Sequence, residues 1–153
     1  MRSDWKTANA RKLNSASRKA ASELVQSQRT WELLITMTFR YNIAEDKANE
    51  KFLFYFKQIS QRLRSHLHIA FVLGRQKNGR LHFHVLLSAD EELGRQLEIS
   101  DTYGISWPGH IRAEYPQNQK KICDYIMHAG HHYWDINVVC PKPAPCKRRN
   151  CKL

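Results

Sequence analysis

No apolar run in this sequence approaches the roughly 20 residues needed to cross a bilayer. The opening stretch MRSDWKTANARK has no apolar segment of the kind a signal peptide carries, so a cytoplasmic location is expected. Cysteine is scarce: Cys123, Cys140, Cys146 and Cys151 are the whole set, three of them within the last fourteen residues. In a reducing compartment such a set is not expected to form a disulfide framework. Acidic residues are also few, 14 against 25 Lys and Arg. No internal repeat is found. With 153 residues the chain has room for one compact domain of ordinary size, and 42% hydrophobic content excludes wholesale disorder.

The net charge of +11 is unevenly spread. Residues 1–30 hold seven bases and two acids, and residues 136–153 hold five bases and no acid. The stretch between them has thirteen bases and twelve acids. A near-neutral body with two basic ends suits a grip on a polyanion. Neither end has an amphipathic helix with large apolar residues, which favours nucleic acid over a membrane surface. Three segments are expected: a basic helical arm over 1–30, the main domain over 31–139 and a basic Cys/Pro tail over 140–153.

Periodicity predicts the elements. Residues 13–28 permit a helix with a thin apolar face. In TWELLITMTF, Leu33, Ile35, Met37 and Phe39 alternate with Glu32, Leu34, Thr36 and Thr38, the period of a strand. Phe52, Phe56, Ile59 and Leu63 recur at helical spacing within 44–64. His68 to Leu73 is β-prone, Asn78-Gly79 signals a turn, and LHFHVLL is the return strand of a hairpin. A short helix over 90–98, a loop, a strand through Ile111, Ala113 and Tyr115, and a helix from Pro116 to Gly130 follow. HHYWDINVV is a further strand candidate. This order predicts an α+β domain, an antiparallel β-sheet backed by helices in a split β-α-β arrangement.

Leu81-His82-Phe83-His84-Val85 carries the clearest chemistry. On a strand His82 and His84 project from one face while Leu81, Phe83 and Val85 enter the core. Two neutral imidazoles converging from a rigid strand suit a divalent metal. The rival pair His66 and His68 has the same spacing without the apolar flanks. On the helix that follows, Tyr125 and His128 share a side, with His132 next if the helix persists, beside an apolar face of Ile122, Ile126 and Ala129. A tyrosine there is ordinarily a core residue with a wet hydroxyl, and it is also a possible nucleophile.

The ordered set (LITMTF, then KNGRLHFHVLL, then a helix bearing Tyr125) resembles the HUH endonuclease superfamily, which includes rolling-circle replication initiators, single-strand transposases and relaxases. The resemblance spans roughly residues 30 to 130. It implies an antiparallel sheet with the histidines on a central strand, and a metal-dependent nickase and strand-transferase acting on single-stranded or hairpin DNA. It further implies Tyr125 as nucleophile forming a 5′-phosphotyrosine, His82 and His84 as ligands of Mg²⁺ or Mn²⁺, and a start to rolling-circle replication. The sequence departs from the family in two places: Tyr125-Ile126-Met127-His128 stands where initiators have Tyr-x-x-Lys, and FVLGRQ has no acidic third ligand. His128 could meet both absences, as a third ligand or in proton transfer.

Arg75, Lys77, Arg80, Lys120, Lys121, Lys147, Arg148 and Arg149 are candidates for DNA phosphates, and Tyr103, Trp107, Tyr115 and Trp134 for base stacking. The Cys-x5-Cys-x4-Cys tail, preceded by His131 and His132, allows a structural Zn²⁺, although its spacings are wider than compact zinc knuckles. No helicase motif GxxxxGK[ST] is present, so unwinding is expected from a host helicase. A small dimeric single-strand transposase and a non-catalytic basic nucleic-acid-binding module are the alternative expectations.

Overall fold

The computed structural model describes residues 15–90, 105–128 and 131–141. All but Asp90 of the expected short helix over 90–98, Tyr103, the tail cysteines Cys146 and Cys151 and the tail bases Lys147, Arg148 and Arg149 lie outside the described residues. Three helices, α1 (Ser15–Gln28), α2 (Glu45–Leu63) and α3 (Gln119–His128), accompany five strands. The strands are β1 (Leu33–Phe39), β2 (Leu67–Arg75), β3 (Leu81–Ala89), β4 (Gly109–Glu114) and β5 (His131–Val139). They form one antiparallel sheet in the order β4-β1-β3-β2-β5. The protein is α+β, as the periodicity predicts. Both β1 and β2 pair antiparallel with β3, so they run the same way with β3 between them, and α2 is the crossover of a split β-α-β unit.

The alternation in β1 decides what each face of the sheet meets. Leu33, Ile35, Met37 and Phe39 join Leu67, Ile69, Phe71 and Leu73 of β2 and Leu81, Phe83, Val85 and Leu87 of β3 on one face. Onto this face α2 lays Phe52, Tyr55, Phe56 and Ile59. Phe52 is its centre, stacked on Phe83 at 4.3 Å and tilted against Phe71 at 4.6 Å between ring centroids. Glu45 and Asp46 in the first turn of α2 sit at the positive end of the helix dipole. The helix ends at Arg64, whose φ of 54° is left-handed. The buried Ser60 hydroxyl then reaches the carbonyls of Ser65 (2.6 Å) and Val139 (3.1 Å), tying the helix end to β5.

Among the described residues, the opposite face is covered over only part of its area. Leu34, Ala70, Val72 and Leu86 project there and pack under Ala21 and Val25 of α1, Trp31, and Cys123, Ile126 and Met127 of α3. Of the expected arm over 1–30, α1 is thus half of a second small core, and residues 1–14 lie outside the described residues. The buried side of α3 is Cys123, Ile126 and Met127 with Ile122 partly covered, rotated from the expected Ile122, Ile126 and Ala129; Ala129 itself is outside the described residues.

Two glycines are placed by geometry. In the β2–β3 turn the Gly79 N–H bonds to the Gln76 carbonyl (2.9 Å), and Gly79 takes φ +82° while Asn78 stays at negative φ. The turn therefore centres on Lys77 and Asn78, with Gly79 in the left-handed position that follows. At Gly109 a Cβ would lie 1.7 Å from the Thr38 carbonyl oxygen, so only glycine lets β4 start beside β1. Among the described residues no helix is long and apolar enough to cross a membrane.

Because Phe52 is fully buried among three other aromatic rings, Phe52→Ala should cost about 3–5 kcal/mol of unfolding free energy in urea titration. A loss below about 1 kcal/mol would mean that α2 is not packed on this face.

Candidate active site

Pairing in register places residues of neighbouring strands in rows across the sheet. One row on the partly open face is His110 of β4, Thr38 of β1, His82 of β3 and Gly74 of β2. The next is Arg112, Thr36, His84 and Val72. The one after it, Glu114, Leu34, Leu86 and Ala70, runs in under α1 and α3. The two imidazoles therefore stand where the described helical cover stops. Their ring centroids are 4.8 Å apart and nearly perpendicular. His84 is 9% exposed, and burial, with a smaller contribution from neighbouring His82, lowers its pKa from 6.5 to about 4. His84 is neutral through the physiological range, the form in which an imidazole nitrogen can bind a metal.

The other nitrogen of His84 is already engaged: Nδ1 lies 3.2 Å from the Thr36 hydroxyl. If Nδ1 carries the proton and donates it to Thr36, Nε2 is left as a lone pair, the arrangement in which a neighbouring acceptor orients a metal-binding histidine. Thr36 was legible from the sequence only as an inward or outward position. Its role follows from lying opposite His84 on β1, which the strand pairing reveals.

Tyr125 comes to the same place from α3. It is 54% exposed, and its ring centroid is 5.7 Å from that of His84. The helix under it is held by polar ties as well as by its apolar side. The Gln119 amide accepts a hydrogen bond from the Trp31 N–H (2.8 Å) and donates one to the Trp31 carbonyl (3.0 Å). The Asn118 side chain accepts the Lys121 N–H (2.9 Å), capping the first turn. Asp124, next to the tyrosine, accepts the Ser22 hydroxyl of α1. The neighbouring Cys123 is fully buried, which pushes its thiol up to about 11 and leaves it unreactive at neutral pH.

Other candidates are placed elsewhere. Tyr133 is buried on the α2 face, where its hydroxyl donates to Asp135 (3.0 Å) and burial raises its pKa further. His68 is at the far end of the sheet, about 20 Å from His82 by strand rise. Its Nε2 lies 2.7 Å from Asp90 and 2.8 Å from Arg29, and His66 is 3.6 Å from the same carboxylate. The hydrogen bond from His68 is the main reason that Asp90 stays below the usual carboxylate range. Of His128, the last residue of α3, and of His131 and His132, the side chains are outside the described residues. Among the described residues no group of three or more His, Cys, Asp or Glu is gathered for a metal.

Of the candidate phosphate contacts, Lys77 and Arg80 are exposed at the hairpin tip beyond His82, and Lys120 and Lys121 are exposed on the first turn of α3. Arg75 turns to the α2 side, 3.4 Å from Glu45. Among the aromatic candidates, Tyr115 is 40% exposed. Trp107 packs on Phe39 at 4.8 Å and donates to the Thr38 carbonyl (2.9 Å), a structural use. Trp134 packs against the second core.

No protein-family model matches the chain, and neither a curated protein nor a solved structure is significantly similar to it.

The shift at His84 has a measurable consequence in metal-free buffer. The unfolded chain binds a proton near pH 6.5 that the folded chain refuses until about pH 4. Folding stability should therefore rise with pH across that window and be lost as pH falls through it. Between pH 7 and pH 4.5 the wild type should lose on the order of 1–3 kcal/mol more than His84→Ala, by urea unfolding with a chelator present. Equal acid losses in the two proteins would show that His84 is not desolvated.

Proposed function

We propose that this protein is a metal-dependent, single-tyrosine nickase and strand-transferase for single-stranded DNA, of the HUH type that its motifs resemble. The observation that carries the reading is the meeting of Tyr125 with His82 and His84, from two elements far apart in sequence, at the boundary between covered and open sheet. A divalent ion, Mg²⁺ or Mn²⁺, fits the pair in one respect and strains it in another. Two imidazoles at the margin of the described helical cover suit an ion shared with phosphate oxygens and water, while nitrogen donors suit Mn²⁺ better than Mg²⁺. When bound, the ion would supply Lewis-acid stabilisation of charge on the phosphate.

The chain's own groups supply the rest. The Tyr125 oxygen forms a bond to phosphorus as the P–O3′ bond breaks. The phenolic proton passes to solvent, and the leaving 3′ oxygen takes one up to become a hydroxyl. The product is a 5′-phosphotyrosine that keeps the ester bond and can pass the strand to a new 3′-hydroxyl. His84, fixed by Thr36, holds its ligand atom in place before the substrate arrives. The exposed bases Lys77, Arg80, Lys120 and Lys121 flank the site and suit phosphates on either side of the cut. An open face with the phenol at its edge admits a single strand or a melted hairpin more readily than a closed duplex. Starting rolling-circle replication with a host helicase is the biological role this activity suits.

Incubation with a labelled single-stranded oligonucleotide pool and Mn²⁺ should yield a covalent protein–DNA adduct. Tyr125→Phe should abolish it at nearly unchanged stability, and Tyr133→Phe should retain it. An adduct that survives Tyr125→Phe would refute the assignment.

Metal dependence separates the two histidine pairs. His82→Ala and His84→Ala should each reduce adduct formation by about 100-fold or more. His66→Ala and His68→Ala should stay within a few-fold of wild type. Calorimetric titration with Mn²⁺ should follow the same division, and the reverse pattern would move the site to the other end of the sheet.

A further inference from the structure

Beside Tyr125 the sheet edge holds a feature that the cleavage chemistry does not use. Two adjoining hollows, about 290 and 360 Å³, run between β4 and α3, near the lower end of small-ligand clefts. Leu34 and Ile122 supply an apolar floor shared by both hollows, Tyr125 lines both, and Tyr115 stands in the larger one. The side wall is Arg112 and Glu114, two residues apart on β4 and so on the imidazole face, in an ion pair with each other. Arg112 shares a row with Thr36 and His84, two strand spacings from β3, about 10 Å.

We propose, resting on the nickase reading above, that this groove binds the nucleobase next to the cleaved phosphate, and that Glu114 selects bases bearing an exocyclic amine. The chemistry of the lining is that of a base site. A flat ring can lie on Leu34 and Ile122 with its face toward Tyr115, on a floor whose side chains offer a phosphate no hydrogen-bond donor, while Arg112 and Lys121 stand at the walls. Glu114, held by Arg112, offers acceptors: it receives an exocyclic N–H from the outer edge of cytosine or adenine, where thymine presents its O4 carbonyl, and thymine's single N3–H lies between two carbonyls that repel a carboxylate. Arg112 keeps donors free for a base carbonyl or a flanking phosphate. Because Tyr125 belongs both to the groove and to the histidine pair, a base seated there sets which phosphate faces the phenol.

The test needs neither metal nor cleavage, so it stands apart from the nickase reading. Affinities of fluorescein-labelled dA, dC and dT octamers are measured in chelator on Tyr125→Phe, with and without Glu114→Gln. The adduct assay with wild type and Tyr125→Phe is run separately. With Glu114 present, dA and dC should bind about tenfold more tightly than dT. Glutamine can donate as well as accept, so Glu114→Gln should remove the difference by strengthening dT binding. Glu114 and Arg112 are largely solvent-exposed, and an exposed pair contributes little to folding. Tyr115→Ala should weaken all three octamers alike by several-fold. Equal affinities with Glu114 present, no binding of any octamer, or a preference that persists in Glu114→Gln would each overturn the proposal. An adduct that survives Tyr125→Phe would instead overturn the nickase reading alone.

Discussion

The register of β3 between β1 and β2 is the constraint on which everything else depends. Opposite residues of paired strands share a face, and successive residues alternate between faces. Phe83 and Val85 enter the aromatic core under α2, and this sends His82 and His84 to the opposite side. A slip of one residue would bury two imidazoles among phenylalanines and expose Phe83, at a cost of several kcal/mol on either count. The hydrophobic core is therefore also the device that aims the imidazoles, and their positions are as rigid as the packing of Phe52 on Phe83.

The second face explains why the site is where it is. α1 and α3 cover the rows through Leu34 and Leu86, and the described cover ends at the row containing His84. His84 is desolvated enough to stay neutral, and its row-neighbour His82 is only half-buried. Tyr125 projects from the margin of that cover, its helix anchored by the Gln119–Trp31 hydrogen bonds and by Ser22 on Asp124. Burial of one half of the face supports the helix, and the rows of His82 and His84 lie beyond it. The same margin produces the groove beside β4.

Local patterns predicted much of this and non-local ones did not. The alternation of Leu33, Ile35, Met37 and Phe39, the spacing of Phe52, Phe56 and Ile59 and the Asn78-Gly79 turn each arise from neighbours in sequence, so their elements were legible. So was the outward pairing of His82 with His84. What covers the second face was not legible. The apolar stripe of α1 consists of little more than Ala21 and Val25, and its value depends on meeting Cys123, Ile126 and Met127 about a hundred residues later. Likewise nothing in the local sequence pairs Thr36 with His84, Gln119 with the Trp31 backbone, or Arg112 with the row of His84. Those contacts follow from sheet order, which periodicity alone cannot supply.

The central proposal is that His82 and His84 hold one divalent ion beside Tyr125. Paramagnetic broadening by Mn²⁺ tests it directly. In side-chain NMR spectra of the whole protein, substoichiometric Mn²⁺ should broaden the imidazole signals of His82 and His84 first and the Tyr125 ring next. The signals of His66 and His68, about 20 Å away, should stay sharp at the same Mn²⁺ concentration. Broadening centred on His66, His68 and Asp90, with sharp signals at His82 and His84, would contradict the account.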